Sequence, residues 1–333
     1  MLFLPVLYAS DAAAHHSNSG YDREKQITVT GELTEVQWAN PHVYIYIKQK
    51  LDDGSVISWT IEGFNPAGMR RIGFDKDTLT VGDKLTIIGN PSRNSAKQSI
   101  YPNEIFKSDT KLLDEKEFFA KALSEPTLPD VGVDTIEGIW NVPLTPSIIV
   151  PGQSVTKVFD LTSQGSEVLE KFNEQSMNPG MNYIQIPAPL IMHFGDLKNI
   201  TISDRLITIQ SDYDGGERKI HLDVTTHDDA PYTNQGHSIG HWEKRTLIVD
   251  TAKFSVNNFG VAFGIPSSTK KRLHEKFTLS DDGKFLIYYF ELTDPTYLAS
   301  PLSYETKWVL ESGSIFQVDD CNIDNAQRFL ENF

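Results

Sequence analysis

Apolar and polar residues alternate along most of this chain, and the alternation is densest near its start. In "QITVTGELTEVQWANPHVYIYIKQK", Gln26–Lys50, β-branched and aromatic residues recur at every second position, the period of a half-buried strand. Asn40-Pro41 divides this stretch into two strands, because proline has no N–H to give to a ladder. "LDDGSVISWTIEG" predicts a hairpin turning on Asp52-Asp53-Gly54. "GFNPAGMRRIGF" is a Gly/Pro-punctuated connection with one helical turn, and "LTVGDKLTIIGNPSRNSAKQSIYPNEIF" supplies two more strands around a loop. Five strands with one short helical insertion predict a small closed Greek-key barrel of the OB type over residues 15–107.

Residues 108–135 read as a linker, in which the amphipathic "LLDEKEFFAKAL" precedes the Pro-ended "SEPTLPD". Strand patterning resumes at Ile136. "LTSQGSEVLEKFNE" predicts a helix capped by Thr162 or Ser163. "LIMHFGD", "ITISDRLITIQSDY", "RKIHLDV", "GHWEKRTLIVDTAKF", "KRLHEKFTLSDDGKFLIYYFELTD" and "SYETKWVL" then alternate between tight turns, Asp281-Asp282-Gly283 being a strong hairpin signal. The prediction is an all-β, mainly antiparallel chain: the OB-like barrel, then over 136–315 a larger barrel or curved sheet with one or two short helices, then a polar tail, 316–333. The larger barrel is expected to have an interior wide enough for a ligand.

"AHHS…YD…TGELTEVQWANPHVYIYI" together with "WTIEG…GMRRIGF…LTVGDKLTIIGNPSRN", roughly Ala14 to Phe106, resembles a family of uncharacterised exported bacterial proteins. "MNPGMN…RKIHLD…GHSIGHWEKRTLIVDTAKF…LHEKFTLSDDGKFLIYYFELTDPTYLASP", within roughly Ile136 to Val309, resembles a second such family. Lys244-Arg245 stand where that family's hairpin has Gly-Asp, and Met177 stands in its Cys-x-Pro-x-Gly motif. Both resemblances imply export and β structure, and neither brings a reaction with it.

Composition narrows the function classes. The apolar run Leu2–Ala9 followed by Ala12-Ala13-Ala14 has the shape of a signal peptide over residues 1–14, predicting a periplasmic or extracellular protein. The run is too short to span a bilayer and no longer one follows, so no membrane span is expected. The net charge of −15 argues against nucleic acid, whose phosphates would be repelled. The single cysteine, Cys321, excludes an intrachain disulfide and a cysteine zinc cluster.

Two groups of side chains carry candidate chemistry. Cleavage after Ala14 would leave His15 with a free α-amine beside its imidazole. His15, His16 and His42, the last held by a Pro-fixed turn, would then form a nitrogen set suited to Cu(II). In "GHSIGHWE" the residues His237, Ile239, His241 and Glu243 share one strand face, as do His221 and Asp223 in "KIHLD", while His274 adds another imidazole. If that polar face points inward, His237, His241, Glu243 and His274 could perform general acid–base work as a hydrolase, isomerase or lyase. If it points outward, as alternation favours, it is solvated and Trp242 belongs to the core. Ligand contacts are expected at Trp242, Tyr288, Tyr289, His221 and Asp223. "GHSIG" lies among antiparallel strands, unlike a nucleophile elbow. The function expected is binding of a small apolar molecule in the larger domain, with the acid–base enzyme as the alternative.

Overall fold

The computed structural model describes residues 20–122, 127–143 and 159–332. The first unit is a sheet of β1 (Ile27–Gln37), β2 (Tyr44–Lys50), β3 (Val56–Glu62), β4 (Lys84–Pro91), β5 (Ser99–Lys107) and β6 (Thr110–Asp114), ordered β3-β2-β1-β4-β5-β6. Thr60 pairs with Ser99 and Ile61 with Ile100 in parallel, which closes the first five strands into the OB-type barrel. Alternate residues point inward: Val29 and Leu33 on β1, Ile45 and Ile47 on β2, and Leu85 and Ile87 on β4 are all buried. Helix α1 (Pro66–Arg71) fills the β3–β4 connection. Its N-cap Asn65 accepts from the Gly68 N–H at 2.9 Å, Pro66 occupies the first turn, and Met69 faces the core.

The stretch read as a linker is partly sheet. Thr110–Asp114 pairs antiparallel with β5 before α2 (Glu115–Ala122) begins. "TKLLD" is too short and too charged to declare itself a strand, and its partner provides the ladder.

The second unit is a closed barrel. Nine strands follow in the order β10 (Glu217–His221), β11 (His237–Glu243), β12 (Thr246–Ala252), β15 (Arg272–Leu279), β16 (Phe285–Thr293), β17 (Leu302–Leu310), β7 (Gly138–Asn141), β8 (Leu197–Ile202) and β9 (Leu206–Ser211). The β10–β11 pair is parallel and the other pairs are antiparallel. A separate hairpin, β13 (Asn257–Ala262) with β14 (Ile265–Ser267), stands outside the barrel sheet. The predicted helix forms over Ser163–Glu170, with the Thr162 hydroxyl accepting from the Gly165 N–H at 3.0 Å. Among the described residues no helix is long and apolar enough to cross a membrane.

Side chains fill the inside of this barrel. Trp140, Trp308, Phe277, Tyr288 and Phe290 are fully buried there. Across them runs an ion pair: Arg218 Nη1 donates to Glu275 Oε1 at 2.6 Å, and Nη2 reaches the other carboxylate oxygen. Ser238, Thr251 and Tyr288 complete the network, the Tyr288 hydroxyl donating to Glu275 Oε1 at 2.7 Å.

The polar tail returns to the first barrel. The Asn40 N–H donates to the Asp320 carbonyl at 2.8 Å, and the Asn322 N–H to the Asn40 carbonyl at 3.0 Å. The short helix Ile323–Arg328 and the turn Phe329–Asn332 follow, and Asn332 Nδ2 donates to the Tyr21 hydroxyl at 3.0 Å.

Candidate functional site

The described residues enclose a cleft of about 710 Å³ where the two barrels meet. On the small-barrel side, Phe64 stacks on Phe118 with centroids 4.3 Å apart and meets Phe119 edge-on at 6.1 Å. On the other side, Phe194 packs on Tyr213 at 4.6 Å and Phe263 on Phe259 at 4.7 Å. Local sequence explains these positions: Phe64 lies two residues past the end of β3, Phe118 and Phe119 lie on α2, and Phe194 leaves the 3₁₀ turn Leu190–His193. Such offset and edge-on pairs give the walls a large, rigid apolar area.

The charged residues around the cleft have partners. Arg70 and Arg71 come from the last turn of α1, where cations suit the helix dipole. Arg70 pairs with Asp319 at 2.7 Å, and Arg71 donates to the Gly195 carbonyl with Asp212 at 3.7 Å. Burial pushes Asp212 up to about 6 even though the Arg71 guanidinium pulls it down. Burial also raises Asp214, against the stabilising N–H groups of Gly216 and Ile186. Tyr183 donates to the Asp214 carbonyl at 3.2 Å. The result is an aromatic cleft with hydrogen-bonding groups and little uncompensated charge.

Behind its small-barrel wall lies a buried pair that the sequence reading did not foresee. His42 directs Nδ1 to the Gly63 carbonyl at 3.3 Å and Nε2 toward Glu62 Oε1 at 3.8 Å. The side chain is 19% exposed, toward the cleft that the residue lines. Glu62 is fully buried. The Tyr21 hydroxyl donates to its Oε2 at 2.8 Å and lies 2.9 Å from Ser99 Oγ. Burial raises the Glu62 carboxyl to about 8, although its hydrogen bonds to Tyr21 and Tyr44 oppose the shift. Burial lowers His42 to about 4. Both groups are therefore uncharged at neutral pH, and the 3.8 Å approach is not an ion pair.

The residues singled out in the second unit lie largely on its outer wall. Ser238 and Gly240 turn inward, leaving His237, Ile239, His241 and Glu243 on the outside. His241 and Glu243 meet at 3.5 Å in solvent. His274 contacts Asp250 at 2.8 Å, also outside. Trp242 shares the inward parity but stands at the strand end, 41% exposed, so it is not core. Asp223 is exposed near Arg205, and Tyr289 faces out beneath the Lys276 ammonium. Tyr288 alone of the expected ligand contacts faces the barrel interior, where Glu275 occupies its hydroxyl. The barrel interior expected to be wide enough for a ligand is filled by aromatic side chains and the Arg218–Glu275 pair, and the cleft lies at the junction of the barrels.

On that outer wall the structure does bring histidines together. His221 stacks on His237 with centroids 5.1 Å apart, and His227, not singled out from the sequence, places Nδ1 2.9 Å from His237 Nδ1. Partial burial lowers both His227 and His237. His15 and His16 lie outside the described residues. The third nitrogen expected of His42 is turned into the small barrel. Among the described residues, no group of three or more His, Cys, Asp or Glu side chains is arranged to hold a metal ion.

No curated protein matches the chain. The expected resemblance of the first unit to an uncharacterised family holds at that level: residues 5–101, taking in β1 to β4 and the start of β5, match the model of a family of unknown function, DUF6152.

Proposed function

We infer that this chain is an exported binding protein that holds a small, mostly apolar molecule in the cleft between its two barrels. The observation that carries this reading is the cleft itself. Its volume of about 710 Å³ falls within the roughly 300–1,000 Å³ of small-molecule sites. Aromatic walls supply contact area, while Gln185 in the lining offers a neutral hydrogen-bonding amide. Arg70 and Arg71 at the cleft are already engaged by Asp319, Asp212 and the Gly195 carbonyl, which favours an uncharged ligand, since an ion would have to displace an existing partner. Export to the periplasm or beyond rests on the apolar start followed by Ala12-Ala13-Ala14. The acid–base alternative receives less support: His241, Glu243 and His274 stand away from the cleft, and His42 turns its nitrogens inward.

The test is titration with an uncharged fluorescent naphthylamine probe, alongside native mass spectrometry of protein taken from its own host. Phe64→Ala removes one aromatic wall and should weaken the probe by roughly 10- to 100-fold, the ordinary cost of losing a buried aromatic anchor. Probe affinity unchanged from the parent in both Phe64→Ala and Phe263→Ala would remove the cleft as the binding site.

A further inference from the structure

The outer wall of the larger barrel carries a pair of imidazoles with the spacing of two ligands on one metal ion. His237 opens β11, with its side chain on the outer face. His227 reaches it from the loop between β10 and β11. That loop is pinned at the histidine and beyond it on the C-terminal side. The Ala230 N–H donates to the His227 carbonyl at 3.2 Å, and the Lys253 ammonium to the Asp228 carbonyl at 3.3 Å. Farther along, the Thr233 N–H donates to the Lys253 carbonyl at 3.0 Å, and the Ser255 N–H to the Thr233 carbonyl at 2.8 Å. The loop therefore returns to the β12 end, and the two rings meet edge to face, with centroids 5.1 Å apart and planes at 86°.

The two Nδ1 atoms are 2.9 Å apart. Imidazole nitrogens bind metals at about 2.0–2.1 Å, so two nitrogens at this separation subtend about 90° at a shared ion. A tetrahedral ion would need them about 3.3 Å apart at the same bond length. Cis positions of a square-planar or tetragonal ion need the spacing seen, which is the preference of Cu(II) and Ni(II), with Cu(II) bound more tightly of the two. We propose that His227 and His237 form a surface site for Cu(II), binding it through their Nδ1 atoms with water in the remaining positions. His221 is not a ligand in this arrangement, because it stacks on the His237 ring. Proton accounting is simple. The pair shares one Nδ1–H in its hydrogen bond; on metal binding that hydrogen moves to Nε2 of the same ring, and both imidazoles stay neutral. Holding both rings in place beforehand removes part of the ordering cost of chelation.

The experiment is calorimetric titration of Cu(II) into the full chain carrying His15→Ala and His16→Ala, which removes the imidazoles outside the described residues. Electron paramagnetic resonance of the one-to-one complex is read alongside. One ion should bind, with nitrogen hyperfine structure in its spectrum. His227→Ala and His237→Ala should each weaken binding at least about tenfold, while His221→Ala should change it less than about threefold. Zinc titrated into the same protein should bind more weakly than copper. No saturable copper binding, unchanged affinity in the His227→Ala/His237→Ala double variant, or loss of binding in His221→Ala alone would each overturn the assignment. Circular dichroism of each variant checks the fold, since all three positions are on the barrel's outside.

Discussion

Replacing Glu62 by glutamine should make the protein more stable in alkali and leave it unchanged in mild acid. Glu62 is fully buried, and its carboxyl is raised from an ordinary 4.5 to about 8. The unfolded chain ionises this group from pH 4.5 upward while the folded chain keeps it protonated, so stability falls as pH rises between those values. At about 1.4 kcal/mol per pH unit, the full interval is worth on the order of 5 kcal/mol. His42 acts in the opposite direction. Its imidazole is lowered from 6.5 to about 4, so the unfolded chain gains a proton first and stability falls as pH drops through that range, by about 3 kcal/mol in total. The two slopes oppose each other between pH 4.5 and 6.5, and above 6.5 only the Glu62 slope remains. Glutamine copies the protonated acid: its carbonyl can accept from the Tyr21 hydroxyl, and its amide hydrogen can face His42 Nε2. Urea unfolding from pH 4.5 to 8.5 should give Glu62→Gln a profile that rises to pH 6.5 on the His42 slope, stays level above it, and diverges from the parent by several kcal/mol at the alkaline end. Parallel profiles across that range would refute the account of a carboxyl kept neutral by burial.

Glu275→Ala strands the Arg218 guanidinium inside the larger barrel and should cost about 3–5 kcal/mol in chemical denaturation, whereas Arg218→Met with Glu275→Leu should recover much of the loss. Asn65→Ala removes the cap of α1 and should lower stability by about 1 kcal/mol, read as a shift in urea midpoint at constant slope; because Asn65 Nδ2 also reaches the Tyr213 carbonyl at 3.4 Å, the same variant should weaken probe binding in the cleft.

The strands that were legible are those in which a two-residue period survives. β16 shows it best, with Leu286, Tyr288, Phe290 and Leu292 inside. The turn at Asp281-Asp282-Gly283 and the Thr162 cap were legible for the same reason, since each is a local chemical requirement. Parity, however, does not tell how far along a barrel a residue stands. Trp242 has the inward parity but sits past the covered part of β11, and so meets solvent. The cleft was illegible because its walls come from segments far apart in sequence, none of which shows a pattern of its own. Glu62 reads as the polar end of a strand, and only its distant neighbours Tyr21 and Ser99 reveal that it is enclosed. His227 lies in a loop whose path depends on main-chain bonds from Thr233 to Lys253 and Ser255, which side-chain periodicity does not encode.

The return of residues 319–332 to the first barrel also sets a clock on synthesis. Asp319 takes the Trp38 indole hydrogen at 3.0 Å, and the strand edge at Asn40 is paired by Asp320 and Asn322. A ribosome makes those partners roughly 200 residues after it finishes β6, which at about 5–20 residues per second is a delay of about 10–40 s. Until they arrive, the Asn40 edge and the Trp38 indole of the first barrel lack these partners. The last bonds of the first barrel are therefore made by residues supplied after every strand of the second.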